Sequence, residues 1–208
     1  ERPYGIVNGD TQYIDLIAEH CPSMDVFGSN VYRGWKFYDS FYLDVKAKLD
    51  RPIIVTECGA DAFNSLTGKE DQYAQLQYYK SQWREVYDQA YGKGNAGNIL
   101  GCFVFEWVDE WWKYLQYAEL TTHNTNASWA NSGYSLDYKD GQNNMSEEWF
   151  GICAQSEEMV NGINKRVPRA IYYFLQDIWQ MSLYNASPAE IEKKFANSLL
   201  IEHFAPLL

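Results

Sequence analysis

Three apolar runs of the chain stop on residues equipped for chemistry. "PIIVTECGA" (52–60) ends its β-branched stretch at Glu57, and "GSNVYRG" (28–34) ends on Asn30, Tyr32 and Arg33. "GCFVFEWVDEWW" (101–112) ends on Trp107, followed by Asp109, Glu110, Trp111 and Trp112. A carboxylate serves as nucleophile or general base, and a phenol on a neighbouring strand can donate to it and hold its orientation. An indole supplies a flat apolar platform of the kind a pyranose ring stacks on. Each residue alone has a plainer reading: a glutamate at a strand end is a solvated cap, and a lone tyrosine or tryptophan is core. Their recurrence at successive run ends favours a site.

The elements that must position them follow from apolar periodicity. Four strand-like runs occur: "YGIVNGD", "MDVFGSNVYRG", "PIIVTECGA" and "NILGCFVFEWVDEWW". Helical patterns follow the first three directly. One puts Tyr13, Ile14, Ile17 and Ala18 on one face; a second aligns Phe41, Val45 and Leu49; a third runs from about Asp71 to Tyr91. A last helix follows Pro168, with Ile171, Leu175 and Ile178 on one side. Strands alternating with helices predict an α/β fold with a parallel sheet covered on both faces. A doubly wound sheet competes, but no glycine-rich phosphate loop follows any strand.

Strict alternation then groups Gly28, Asn30 and Tyr32; Ile53, Val55 and Glu57; and Phe103, Phe105 and Trp107. Glu106, of opposite parity, is expected to point towards the helices. Parallel α/β folds place their sites at the carboxyl ends of the strands, where Asn30, Tyr32, Glu57 and Trp107 converge. Asn8, ending the first run, is a further rim candidate. Residues 113–165 lack periodicity and read as one long ordered loop over this end of the sheet. Residues 183–208 read as a helical tail.

Composition narrows the partners. The chain has 208 residues, enough for one substantial domain, with 17 Tyr, 10 Phe and 8 Trp. A net charge of −11 with no basic run argues against nucleic acid and anionic membranes, and no apolar run reaches the roughly 18 residues of a membrane span. Cys21, Cys58, Cys102 and Cys153 are scattered without metal-ligand spacing, so they read as free thiols, and no metal or cofactor is expected. Sequons at Asn126, Asn144 and Asn185 hint at secretion.

"PIIVTECGAD" resembles the seventh-strand motif of clan A retaining glycoside hydrolases, particularly the family 2 type that includes β-galactosidases and β-glucuronidases. "GSNVYRGW" is similar to their sixth strand and "GCFVFEWVDEWW" to their eighth. "NMSEEWFGICA" with "KRVPRAIYYFLQDIW" resembles their closing loop and last helix. The resemblance covers residues 4–182. It implies strands five to eight, the C-terminal half, of a (β/α)8 TIM barrel acting as a retaining β-glycoside hydrolase or transglycosylase on a β-linked oligo- or polysaccharide.

By the same resemblance Glu57 is the nucleophile, with Tyr32 hydrogen-bonded to it. Trp107 floors the subsite where cleavage occurs, and Trp111 and Trp112 serve outer subsites. Asn30, Asn8, Arg33, Asp109 and Glu110 are expected as substrate contacts. The family's acid/base glutamate ends the fourth strand, which would lie upstream of residue 1. The chain is therefore expected to be a fragment, or to pair with a complementary half. A non-catalytic carbohydrate-binding or scaffold half-barrel is the alternative.

Overall fold

The computed structural model describes residues 2–64, 67–113, 120–126 and 145–198. The alternating first part consists of β1 (Gly5–Gly9), α1 (Ile14–His20), β2 (Val26–Asn30), α2 (Tyr38–Lys48) and β3 (Ile53–Cys58). A two-residue ladder of β4 (Phe63–Asn64) and β5 (Lys69–Glu70) leads into α3 (Gln72–Asp88) and β6 (Ile99–Val104). A 3-10 turn at Glu147–Trp149 precedes the antiparallel hairpin of β7 (Cys153–Val160) and β8 (Ile163–Pro168). The helices α4 (Ala170–Ile178) and α5 (Pro188–Asn197) complete the fold.

The fold is mixed α/β around a four-stranded parallel sheet in the order β1-β2-β3-β6. Spatial order follows chain order without reversal. Right-handed crossovers then carry every connecting helix to the same face. That face holds the core, where Phe27, Phe41, Val45, Ile53, Val55, Tyr79, Val86 and Ile99 are buried. The opposite face is open. Val7 is 61% exposed and Phe103 64%, and a Cβ placed on Gly101 would meet no atom within 4 Å. The expected double covering is therefore present on one face only among the described residues.

Local chemistry explains the helix boundaries. Asp71 caps α3 by accepting from the Ala74 N–H at 2.9 Å. Ser187 and Glu190 form a reciprocal capping box at α5, with Pro188 in the first turn. Helix α5 buries Ile191 and Phe195, and the Phe195 ring meets Tyr87 of α3 and Phe174 of α4 edge-on. Full burial of such a side chain contributes about 2 kcal/mol. Residues 199–208 of the expected tail lie outside the described residues, as does Asn144.

Two expectations are corrected. Tyr13 sits at the N-terminal boundary of α1 and is exposed, leaving Ile14 and Ile17 as its buried pair. The aperiodic stretch contains the β7–β8 hairpin, whose turn residues Asn161 and Gly162 both have positive φ, 53° and 79°. Asn-Gly is the pair such a turn demands, because it tolerates the left-handed region at both positions. Among the described residues no helix is long and apolar enough to cross a membrane.

Candidate active site

Glu57 owes its orientation to a break in the ladder. Ser29 pairs with Val55, but the next residue of β2, Asn30, pairs with Glu57. On the other side Val55 pairs with Cys102 while Cys58 pairs with Val104, so three steps of β3 match two of β6. The extra residue shifts the parity of the strand. Ile53, Val55 and Cys58 are all fully buried. Glu57 is thus released from the face it was expected to share with Ile53 and Val55.

Tyr32, just beyond β2, donates its hydroxyl to Glu57 Oε2 at 3.0 Å. Burial, and then the adjacent Glu57 charge, push the Tyr32 phenol far above its ordinary range, so it remains a donor. Its ring is held edge-on by Phe105 and Phe150, at centroid distances of 6.4 and 6.0 Å. Across the same two strand ends, Asn30 Oδ1 accepts from the Thr56 hydroxyl at 2.7 Å. These four residues form two hydrogen-bonded pairs at neighbouring strand ends.

The other candidates divide. Trp107 is 61% exposed and lies edge-on to Tyr172, while Phe105, not Trp107, takes the place beside Tyr32. The Lys113 ammonium sits 4.9 Å from both the Trp112 and Phe105 ring centroids, a cation–π arrangement. Trp111 is only 3% exposed and meets His123 edge-on, which removes it from any open subsite. Arg33 binds both Asp10 carboxylate oxygens, at 2.6 and 2.5 Å, and is committed to that pair. Asn8 is half-buried, and its Nδ2 has no hydrogen-bond partner.

Asp109 does not reach a substrate surface. Its carboxylate is fully buried against the equally buried Arg169, at 2.6 and 2.7 Å. It also accepts from the Gly151 and Gln155 N–H groups and pairs with His123. Glu106 pairs with Glu110. Burial, then the Glu110 charge, raise its carboxyl pKa to about 9. Glu110 is held in turn by Lys113 at 3.3 Å. These two carboxyls therefore partner each other instead of Glu57. Among the described residues no group of His, Cys, Asp and Glu could hold a metal ion.

No protein-family model matches the sequence, and no curated protein matches it. Among solved structures the chain is similar to BpGH50, with 18% identity and a TM-score of 0.36 over 47% of this chain and 21% of that one. It is also similar to an active-site mutant of Rhizomucor miehei β-1,3-glucanosyltransferase in complex with laminaritriose, with 12% identity and a TM-score of 0.42 over 76% and 48%. A third is the β-glucuronidase of an uncultured Clostridium sp., with 15% identity and a TM-score of 0.39 over 76% and 23%. The chain spans less than half the length of each. Likenesses of this size carry no argument about the reaction, which rests on the chain's own geometry.

That geometry depends on residues the apolar pattern conceals. Helix α3 buries Gln75, Tyr79 and Gln82, at i, i+4 and i+7, on its core face. Gln75 donates to the Ala60 and Gly151 carbonyls, Tyr79 to Phe105 and Gln82 to Gly34. One helix thus satisfies backbone oxygens in the loops that follow β2, β3 and β6. The loops approach closely at Gly59, where a Cβ would fall 2.1 Å from the Phe105 carbonyl oxygen. Three polar residues along one helical stripe of an otherwise apolar face were the available signal.

Proposed function

We propose that the chain is the C-terminal half of a (β/α)8 barrel belonging to a retaining β-glycoside hydrolase or transglycosylase, with Glu57 as nucleophile. The observation that carries this reading is the 3.0 Å Tyr32–Glu57 hydrogen bond at the carboxyl ends of adjacent parallel strands. The singly wound sheet supports it, since helices on one face and an open second face are what half a barrel presents. Strands β1 and β6 end that sheet, and a complementary half would pair with both edges.

In the proposed reaction a Glu57 oxygen attacks the anomeric carbon as the glycosidic oxygen departs. Water or a second sugar hydroxyl then displaces the enzyme ester with a second inversion. Tyr32 keeps the attacking carboxylate oriented. Asn30 meets a sugar hydroxyl, and Phe105, Trp107 and Trp112 supply apolar surface for sugar rings. The leaving oxygen takes its proton from a second carboxyl group. Glu106 and Glu110 are paired with each other, so we assign that role to the complementary half, with a β-linked carbohydrate as substrate.

Labelling of the protein carrying this chain with a 2-deoxy-2-fluoro β-glycoside tests the assignment. A covalent glycosyl adduct is expected on the peptide containing Glu57, with Glu57→Gln abolishing both the adduct and turnover. An adduct on another carboxylate, or near-normal hydrolysis by the variant, would sink it.

A further inference from the structure

Cys58 and Cys102 are 44 residues apart in sequence, yet their Sγ atoms are 2.9 Å apart. Cys58 directly follows Glu57 and is completely buried; Cys102 is half-buried on the neighbouring β6. In the register Cys102 stands opposite Val55 and Cys58 opposite Val104, so the two side chains meet diagonally across the extra residue of β3. Both pack against the helix-covered core. The other cysteines are placed elsewhere: Cys21 closes α1 and Cys153 opens β7.

We propose that Cys58 and Cys102 are a structural pair that closes to a disulfide during folding, clamping β3 to β6 behind Glu57. Bond formation needs an S–S separation of about 2.05 Å, so the sulfurs have less than about 1 Å left to close. The oxidant is a small disulfide such as oxidised glutathione. A Cys102 thiolate attacks one of its sulfurs and expels one glutathione thiolate, leaving a mixed disulfide. The Cys58 thiolate then attacks the Cys102 sulfur and expels the second. Two protons leave the cysteines, and two electrons reduce one glutathione disulfide to two glutathiones. Burial, with Cys58 alongside, holds the Cys102 thiol well above its ordinary range, which keeps its thiolate scarce in the folded protein. Closure therefore belongs to folding, as the sulfurs meet and before the core seals over them. Once formed, the link is shielded from reductant by the same burial.

The test is oxidative refolding of the reduced protein in a glutathione redox buffer. Remaining thiols are then alkylated under denaturing conditions and the disulfides mapped by peptide mass. The expected map shows Cys58 joined to Cys102, exceeding every other pairing by more than about tenfold, because groups already in contact react at a far higher effective concentration. Cys21 and Cys153 are recovered alkylated. Cys102→Ala should yield three alkylated cysteines. The wild-type map needs no variant, so the proposal stays falsifiable if that substitution prevents folding. Four alkylated cysteines in the refolded protein would overturn it. So would links shared among all four cysteines, as in protein oxidised in guanidinium chloride.

Discussion

Replacing Arg169 with methionine should destabilise the fold severely. The guanidinium is wholly buried and makes paired bonds to Asp109 at 2.6 and 2.7 Å, a bond to Glu70 at 2.7 Å and another to the Gly151 carbonyl at 2.6 Å. Removing one partner of a buried ion pair costs about 3–5 kcal/mol, mostly because the remaining charge is left in a poor environment. Asp109 would keep the Gly151 and Gln155 N–H donors and His123, and Glu70 is partly exposed, which favours the lower end. A loss of about 3 kcal/mol lowers Tm by roughly 6–12 °C for a domain of this size. Thermal unfolding followed by circular dichroism reads it directly. Asp109→Leu combined with Arg169→Met removes both charges, and should recover more than half the loss because apolar replacement of a buried pair is close to neutral. A single-variant shift below about 3 °C would refute the reasoning, as would a double variant no better than the sum of the singles.

Tyr32→Phe keeps the ring against Phe105 and Phe150 but removes the donor to Glu57. A hydrogen bond to a charged group is worth about 1.5–3 kcal/mol, so kcat/KM should fall at least about tenfold; an unchanged kcat/KM would exclude an orienting role. Glu106 predicts a pH dependence of stability. Its folded pKa of about 9 lies above the ordinary carboxyl value, so the native state holds a proton that the unfolded chain releases. The stability this contributes is complete below the unfolded pKa and lost as pH rises through about 9. Glu106→Gln should flatten the decline in Tm between pH 6 and 9, and an unaltered slope would refute the assignment.

The parallel sheet and its flanking helices were legible in the sequence because both rest on local periodicity. "PIIV" supplies β-branched apolar residues for a covered strand, and the Phe41–Val45 spacing marks one face of α2. What escaped was fixed by distant partners. "DEWW" looked like a rim of carboxylates and platforms, yet Asp109 is drawn inward by Arg169, sixty positions on, and Trp111 is buried against His123. Nothing within "VDEWW" announces that pairing. The β7–β8 hairpin was different, for its Asn161–Gly162 turn, flanked directly by Val160 and Ile163, is a signal carried locally by the sequence.

The extra residue of β3 links the site to the inferred disulfide. Period-two counting places Glu57 with Ile53 and Val55, facing the helices, where an ionised carboxylate would face apolar side chains. One added residue near Thr56 and Glu57 resolves that conflict and lets Glu57 meet Tyr32. The same shift returns Cys58 to the core side, within reach of Cys102 on the next strand. Deleting Thr56 would restore simple alternation at the cost of both contacts. The irregularity near Thr56 and Glu57 therefore bears on both the direction of the carboxylate and the position of the thiol behind it.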